Sequence, residues 1–477
     1  GLLTDQNNMV CSKIVDGGML QYAHDFSVST FAKGYDIEKH QINGSKNTIK
    51  RGEIQDKDYI GMSNDSAVSY NLGQLKSGDQ IDFTLFIYIE NNNNIKNMEE
   101  LEEKIENYKK IDVNKEYTQA KKYWTNYLEK HDGLNLRENS NKLVNDRVKE
   151  IYKRTILLFP LLQNEETGGV SATVEIDENR EKSGRYSYCW PRDAVFIAKA
   201  FDYLNMKKET DKFYENFCKK TQSKNGMWEQ RFYTDGTLAP CWGYQIDETA
   251  SVIYGVYGHY KNTKELKFLQ SNMKMCENAL HFLFKYLENI FGEKEEKDLV
   301  KKEIEEQVIK EGRQKDQIYK HVSYDLWEMN EGVHLYSLAS IYGAFNAMIG
   351  MYEEIKPKYE NNRLKLEKIA KDIQKIKDEI ENIRKYVENN LYDENTKVLR
   401  RNTEDSKMDI STIGAVYPFE LFGADEKKVL NTVEKINMTL RTYTGGYLRF
   451  EQDSYMGGKY PWPVTTLDGN VLFKSRK

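Results

Sequence analysis

Cysteine and histidine are scarce in this sequence of 477 residues, and they are poorly spaced for metal binding or cross-linking. The five cysteines are odd in number and widely separated, and the sequence contains neither a CxxC nor an HxxxH pair. Zinc sites and disulfide frameworks are built from such closely spaced ligands or from paired cysteines. The sequence therefore predicts no metal centre and no fold held by disulfides.

Long apolar runs, positive charge in excess and nucleotide-binding motifs are missing as well. No apolar run reaches membrane-spanning length, and the formal net charge is -5. There is no glycine loop followed by lysine that could cradle phosphate, no GxSxG and no recognisable Cys–His constellation. We therefore expect no cofactor, and neither nucleic acid nor a membrane as a partner. Oligomeric state and localisation, cytoplasmic or secreted, are left open.

The chain divides into a β-rich start and a long helical remainder. The apolar alternation of Phe83, Leu85, Ile87 and Ile89 predicts a half-buried strand, and a run of asparagines then closes the block. The next stretch is charged and predicts a helical linker. We divide the chain into residues 1–95, 96–139 and 140–477, with the last part mainly helical.

The helical part shows apolar residues at spacings of three and four. This spacing predicts helices over residues 194–204 and 335–352, and it is most regular over residues 359–392. The regular stretch fits either a coiled-coil dimer or a long helix packed in one core. Its heptads stop within the length of one globular helix, which favours the packed helix. The Lys/Glu-rich residues 293–319 predict a solvated surface insertion.

Aromatic and charged residues cluster at the start of a predicted helix in YSYCWPRDA. Tyr186, Tyr188 and Trp190 precede Arg192 and Asp193 there. The proline suits the first turn of a helix, and the aspartate suits the positive end of its dipole. Aromatic rings can pack on the C–H face of a sugar, and an Arg–Asp pair can hold hydroxyls. The same residues also fit an ordinary capped helix start.

A second cluster, CWGYQIDETA, repeats this design. Trp242 stands ahead of Asp247, after which an apolar-periodic helix begins. In the ordinary interpretation, Asp247 caps the helix and Trp242 belongs to the core.

A third cluster, SYDLWEMNEG, carries three carboxylates around one tryptophan. If the stretch is helical, Asp325 and Glu328 share a face. Two close carboxylates push their pKa values apart, and burial against Trp327 would raise the pKa of Glu328 further. Such a residue can act as a general acid near neutral pH. Glu331 fits better as a first-turn acid of the helix that contains Leu335.

A fourth cluster is the glycine- and aromatic-rich stretch at residues 445–467, which contains Arg449 and Trp462. Such a loop around an arginine is unusual for a simple connection. Together, the clusters offer carboxylate acid–base chemistry in an aromatic, Arg/Asp-lined pocket. This combination indicates carbohydrate, and glycoside hydrolysis uses two carboxylates.

In these four motifs the sequence resembles glycoside hydrolase family 15, the glucoamylase family. YSYCWPRDA, WGYQIDETA, YDLWEMNEGVHLYSLA and LRFEQDSYMGGKYPWPVTTL follow the family's motif order across residues 140–467. The resemblance implies an (α/α)6 barrel, a mainly α fold, preceded by part of a β-sandwich. It also implies inverting, exo-acting release of glucose from α-glucans or maltooligosaccharides.

The resemblance also assigns roles to individual residues. Glu328 would be the general acid. The residues that would bind or line the sugar pocket are Tyr186, Tyr188, Trp190, Arg192, Asp193, Trp242, Asp325, Trp327, Arg449 and Trp462.

The sequence departs from the family pattern at two places. Met329 follows the acid where many members have a second glutamate, and this concerns recognition of the leaving sugar. The family's general base has no counterpart before residue 477, so we expect an incomplete barrel and a chain short of its base. An inverting phosphorylase, which uses phosphate in place of activated water, and a non-catalytic glucan-binding relative are the alternatives.

Overall fold

A computed structural model describes eleven stretches of the chain and a few single positions beside them. The stretches are residues 2–5, 8–11, 27–34, 65–71, 74–81, 110–133, 140–173, 186–241, 243–292, 323–455 and 460–467. The chain forms two compact units, Gly1–Asn126 and Tyr127–Lys477. The predicted strand at residues 83–89 and the predicted insertion at residues 293–319 lie outside the described stretches.

The described strands of the first unit form two antiparallel pairs. Strand β1 (Leu2–Asp5) pairs with β2 (Asn8–Cys11), and β3 (Ser27–Gly34) pairs with β4 (Asp65–Asn71). The register between β3 and β4 shifts after Val28, which marks a bulge. These strands agree with the β character predicted for this region, while the domain boundaries at residues 95 and 139 stay a prediction.

The second unit is built from helices. Helix α1 (Val113–His131) contains the boundary between the units. The later helices are α2 (Lys142–Leu162), α3 (Pro191–Tyr203), α4 (Lys207–Lys212, continued by a π-helical turn), α5 (Ile246–Thr263), α6 (Leu266–Phe291), α7 (Leu335–Ile355), α8 (Arg363–Asn390) and α9 (Lys427–Thr439). Short hairpins pair β5 (Ser323–Tyr324) with β6 (Glu331–Gly332) and β7 (Tyr392–Asp393) with β8 (Val398–Leu399).

The core of the second unit is centred on α5. This helix packs against α3, α6 and α7, and apolar side chains are buried all around it, among them Ile253 and Val256. A helix surrounded by other helices is apolar on more than one face. This explains the dense apolar pattern of α5 and α7. The predicted helices over residues 194–204 and 335–352 correspond to α3 and α7 and are confirmed.

The burial of helix α8 decides between the two interpretations of residues 359–392. Its heptad residues Ile369, Ile376, Ile383 and Val387 are fully buried in the core of the same chain. The packed-helix interpretation is therefore confirmed. Within the described part of the chain, none of the helices is both long and apolar enough to cross a membrane.

Candidate active site

The loop between β5 and β6 carries the candidate acid, and Asp325 organises it. The Asp325 carboxylate accepts hydrogen bonds from the backbone N–H of Met329 (2.8 Å) and Asn330 (3.2 Å), and from the Asn330 amide Nδ2 (2.6 Å). It is buried, at 4% exposure. These bonds close a tight turn, so the stretch is not helical. The shared helix face that Asp325 and Glu328 would have in a helix therefore does not form.

This turn places Glu328 in an unusual backbone conformation. Its φ is 62°, in the left-handed region, where a residue with a side chain costs about 1–2 kcal/mol relative to the right-handed one. The backbone N–H of Glu328 donates to the Asp325 carbonyl at 3.0 Å, and the Gln245 side chain donates to the same carbonyl at 2.7 Å. The surrounding hydrogen bonds thus hold the strained position.

The Glu328 carboxyl meets the indole of Trp190. Trp190 Nε1–H donates to Glu328 Oε1 at 2.6 Å, although 138 residues separate the two in sequence. Burial raises the pKa of Glu328 above its ordinary value of 4.5, while the Trp190 hydrogen bond and the charges of Arg231 and Arg192 oppose the rise. A carboxyl with a raised pKa can stay protonated near neutral pH and give its proton to a leaving oxygen. The tryptophan at Glu328 is therefore Trp190, where sequence reasoning proposed Trp327.

Arg231 is a site residue that sequence reasoning missed. Its guanidinium lies 4.7 Å from the ring centre of Tyr188 and 5.5 Å from that of Trp190. Its Nε donates to the Pro240 carbonyl at 2.7 Å, which fixes the plane of the group. Arg231 is buried in the segment WEQRF, where three polar residues stand between two aromatic ones. This run of polar residues between two aromatic ones is the sequence signal that could have identified Arg231.

Arg192 is buried in a network of carboxylates at the starts of α3 and α5. Its NH1 lies 2.7 Å from Asp247 and 3.0 Å from Glu248, and its NH2 lies 3.0 Å from Asp193. Burial raises the pKa of Glu248, and the Arg192 charge opposes this rise. The side chain of Asp193 is 46% exposed, whereas those of Asp247 and Glu248 are fully buried. Asp193 is therefore the member of this network that can meet a ligand directly.

The starts of α5 and α3 correct one expectation and confirm another. Gln245 occupies the position before the first turn, and Asp247 lies within that turn, where it binds Arg192 instead of capping the helix. In α3, Pro191 is at the first position and Asp193 is in the first turn, as predicted.

The indole of Trp327 is bound by Asp409. Its Nε1–H donates to both carboxylate oxygens of Asp409, at 3.0 and 3.1 Å. Burial raises the pKa of Asp409 to about 6, against the lowering effect of the Trp327 hydrogen bond. Asp409 precedes a short 3-10 helix and had not been identified from the sequence, because a lone aspartate before a turn is common.

Arg449 lies in a box of aromatic rings. Its guanidinium makes two bonds to the Asp453 carboxylate, at 2.7 and 2.6 Å. The ring centres of Trp462, Tyr455 and Trp327 lie 4.8, 4.9 and 5.5 Å from it. Since Asp453 engages Nε and NH2, the arginine chiefly positions these rings.

All four clusters meet through direct contacts. The Tyr186 hydroxyl donates to the Tyr455 hydroxyl at 2.9 Å, which joins the first cluster to the last. Burial raises the pKa of Tyr186, and the charge of Glu328 contributes to the rise while that of Arg449 opposes it. The second cluster joins through Gln245 and Asp247. Trp242 itself lies outside the described residues.

Glu331 does not belong to the first turn of the following helix. It lies in β6, opposite Tyr324, and α7 begins only at Leu335. The interpretation of Glu331 as a first-turn acid is therefore wrong, because the chain forms a hairpin before the helix starts. Across the described stretches, no group of three or more His, Cys, Asp or Glu side chains is arranged to hold a metal ion.

Comparison with known proteins agrees with this fold. Residues 146–471 match the family described as Glycosyl hydrolases family 15. Among curated proteins, the chain is 24% identical over 425 residues to an uncharacterized glycosyl hydrolase of Methanocaldococcus jannaschii. The match covers 88% of this chain and 59% of that protein, so the chain spans about three fifths of the curated relative.

Two solved structures show the fold. A bacterial glucoamylase complexed with acarbose matches 93% of this chain and 61% of its own, with 16% identity and a TM-score of 0.61. A wild-type glycosidase matches 70% of this chain and 81% of its own, with 17% identity and a TM-score of 0.52. The mainly helical (α/α)6 toroid expected from the sequence is thereby confirmed.

Proposed function

The chain belongs to glycosyl hydrolases family 15, and on this premise we propose that it hydrolyses α-glucosidic bonds. In this proposal it releases glucose from the non-reducing ends of α-glucans or maltooligosaccharides, with inversion at the anomeric carbon. The glucoamylase of similar fold was solved with acarbose, and a similar glycosidase variant was solved with glucose. Both ligands support a glucan-like substrate for this chain.

The observation that carries the proposal is the state of Glu328. Its carboxyl is partly buried, it has a raised pKa, and one of its oxygens accepts the Trp190 indole. The other oxygen is left to carry a proton to the glycosidic oxygen as the bond breaks. An inverting hydrolase also uses a second carboxylate to activate water. We assign only the acid half of this pair.

The residues around Glu328 suit a single glucose unit. We propose that Tyr188 and Trp190 pack against the C–H face of the sugar and that Asp193 accepts hydrogen bonds from its hydroxyls. Arg231 lies over the rings of Tyr188 and Trp190, so it fixes their orientation. Tyr186, Trp327, Arg449 and Trp462 form the wall beyond them, and we retain Trp242 as a pocket residue by resemblance alone.

The test compares the full-length protein with its Glu328→Gln variant on two kinds of substrate. On maltooligosaccharides the variant should lose about 10²- to 10⁴-fold in kcat/KM, because the leaving sugar needs a proton. On α-glucosyl fluoride it should keep turnover within about tenfold, because fluoride leaves with little protonation. Proton NMR of the first product should show β-glucose.

Two results would count against the proposal in different ways. Equal activity of Glu328→Gln on maltooligosaccharides would exclude the acid role. No turnover of maltooligosaccharides, isomaltose, trehalose or α-glucosyl fluoride by the full-length protein would exclude the hydrolase.

A further inference from the structure

A cavity of about 320 Å³ lies between α3 and α5, removed from the candidate active site. The two helices carry Trp190 and Asp247 at their starts, whereas the cavity lies farther along both. Lys199 is seven residues beyond Arg192, which is about 10 Å along a helix. The lining residues that matter below are Phe196, Lys199, Tyr203, Tyr254, Gly258 and Lys261.

The cavity contains two lysines without an acidic partner. Lys199 is half-buried among tyrosines, and its Nζ lies 5.5 Å from the ring centre of Tyr417. Lys261 is exposed, and its Nζ lies 5.1 Å from the ring centre of Tyr257. Among the residues that the structure describes, neither ammonium group has a carboxylate within ion-pair distance. Lys199 donates a hydrogen bond to Tyr417 but has no carboxylate beside it, so its ammonium group, which has three donors, keeps a capacity for an anion.

The one carboxylate among the lining residues, Asp202, is already paired with His259. Asp202 Oδ1 lies 2.6 Å from Nδ1 of His259, and Nε2 of His259 lies 3.0 Å from Asp211. Both ring nitrogens donate only when the imidazole is protonated, so His259 is a cation between two acids. The lysines therefore leave a local excess of positive charge on a chain whose net charge is -5.

Gly258 keeps the cavity open. It lies inside α5, and a Cβ at this position would meet no atom within 4 Å. Glycine inside a helix costs about 0.5–1 kcal/mol relative to alanine. Because a Cβ would fit at this position without a clash, close packing does not explain why the residue is glycine. Three residues earlier, Gly255 has a packing reason, because its Cβ would lie 2.3 Å from the Tyr214 hydroxyl. The open space beside Gly258 is therefore part of the cavity.

Aromatic rings border the same space. Tyr203 is 59% exposed and Phe196 is 36% exposed, so both rings are accessible to a ligand. Tyr254 lines the cavity from α5, and its hydroxyl donates to the Pro418 carbonyl at 3.2 Å. Rings of this kind can pack on the apolar face of a sugar, while the two ammonium groups need an anion.

We propose that this cavity binds the phosphate monoester of a small sugar. The phosphate lies at Lys199 and Lys261, which bind it as point charges, and the sugar ring lies against Tyr203. A neutral glucan would leave both ammonium groups unpaired, so the charges favour the phosphorylated ligand. The cavity volume is within the lower range of small-molecule sites and leaves room for more than a bare ion. This site is independent of the proposed hydrolase activity.

The experiment titrates glucose 6-phosphate into the natural chain and into four variants by calorimetry. Lys199→Met removes the half-buried cation, and Gly258→Leu fills the cavity with a good helix former. Each should weaken binding at least about tenfold. Lys371→Met, an exposed lysine on α8, and Glu328→Gln, in the candidate active site, should leave the Kd unchanged. Melting of each variant without ligand shows that it is folded.

Glucose alone and inorganic phosphate alone, at matched ionic strength, should each bind at least about tenfold more weakly than glucose 6-phosphate. The proposal is overturned if glucose 6-phosphate does not bind, or if Lys199→Met and Gly258→Leu bind it as well as the natural chain. It is also overturned if inorganic phosphate binds equally well, or if Glu328→Gln abolishes binding. None of these results bears on glucan hydrolysis.

Discussion

The indole Nε1–H of Trp190 donates a 2.6 Å hydrogen bond to Oε1 of Glu328. One partner ends the loop before α3, and the other lies in the turn between β5 and β6. The bond favours the ionised carboxyl, so it limits how far burial can raise the pKa of Glu328. The candidate acid is thus both held and tuned by a residue from a different part of the chain.

Replacing Trp190 by phenylalanine removes this bond and keeps an aromatic ring. The pKa of Glu328 should rise further, because the ionised form loses a donor. The alkaline limb of the kcat/KM profile, which reports the protonated acid, should therefore move to higher pH. We expect kcat to fall about tenfold, since the carboxyl is no longer fixed. Tyr188→Phe is the control, and an alkaline limb that stays in place would contradict the role of Trp190.

Replacing Asp325 by alanine should release the turn that strains Glu328. Three donors lose their acceptor, and Glu328 can leave its left-handed conformation. We expect a loss of about 1–3 kcal/mol in the free energy of unfolding and about 10²-fold in kcat. KM should change little, because both oxygens of the buried carboxylate are engaged by Met329 and Asn330. Asp325→Asn keeps an acceptor oxygen and should recover part of kcat, and equal losses in the two variants would argue against positioning.

His259 should make stability depend on pH. Burial lowers its pKa, but the hydrogen bonds to Asp202 and Asp211 outweigh this effect and raise the pKa above the ordinary value of 6.5. The stabilisation is therefore complete below pH 6.5 and is lost as pH rises through the raised pKa. His259→Gln should lower the free energy of unfolding by about 3 kcal/mol at pH 6, since it leaves buried acids uncompensated.

Urea denaturation of the natural chain and His259→Gln from pH 6 to pH 9 checks this prediction. The gap between the two unfolding free energies should narrow as pH rises. A gap that is constant over this range would mean that His259 acts by packing alone.

Two glycines of α5 should respond to alanine with opposite signs. Gly255→Ala places a Cβ 2.3 Å from the Tyr214 hydroxyl and 2.7 Å from Cγ1 of Val195, so it should destabilise by about 1–3 kcal/mol. Gly258→Ala meets no atom within 4 Å and should stabilise by about 0.5–1 kcal/mol. Thermal melting of the pair measures both, and each serves as the control of the other. Equal shifts would contradict the close approach of α3 and α5 at Gly255.

Local pattern accounts for much of the fold. The proline and aspartate of YSYCWPRDA marked the start of α3, because a helix start favours a fixed φ and a negative charge. Apolar spacing identified α7 and α8, because a buried helix must repeat its apolar face every three to four residues. Spacing alone was not enough between Asp325 and Glu328, where a helical spacing occurs but side-chain bonds to the backbone form a turn.

Residues that act through distant contacts were not predictable in this way. Arg231 matters because its guanidinium lies over Tyr188 and Trp190, and Asp409 because it accepts the indole of Trp327. Neither contact leaves a periodic signal in the sequence. Burial of Asp409 raises its pKa to about 6. This shift depends on the groups that surround Asp409 in the folded protein, and the adjacent residues in the sequence do not reveal it.

By itself, the sequence determined which segments are helical and which motifs carry aromatic and acidic residues, because these properties depend on spacing along the chain. The choice of Glu328 as the candidate acid came from the resemblance of its motif to the family's. The tertiary structure alone decided that Trp190 holds Glu328, that Asp325 holds the turn, and that two lysines share a cavity between α3 and α5. Such relations depend on which buried groups meet, and folding brings them together across more than a hundred residues.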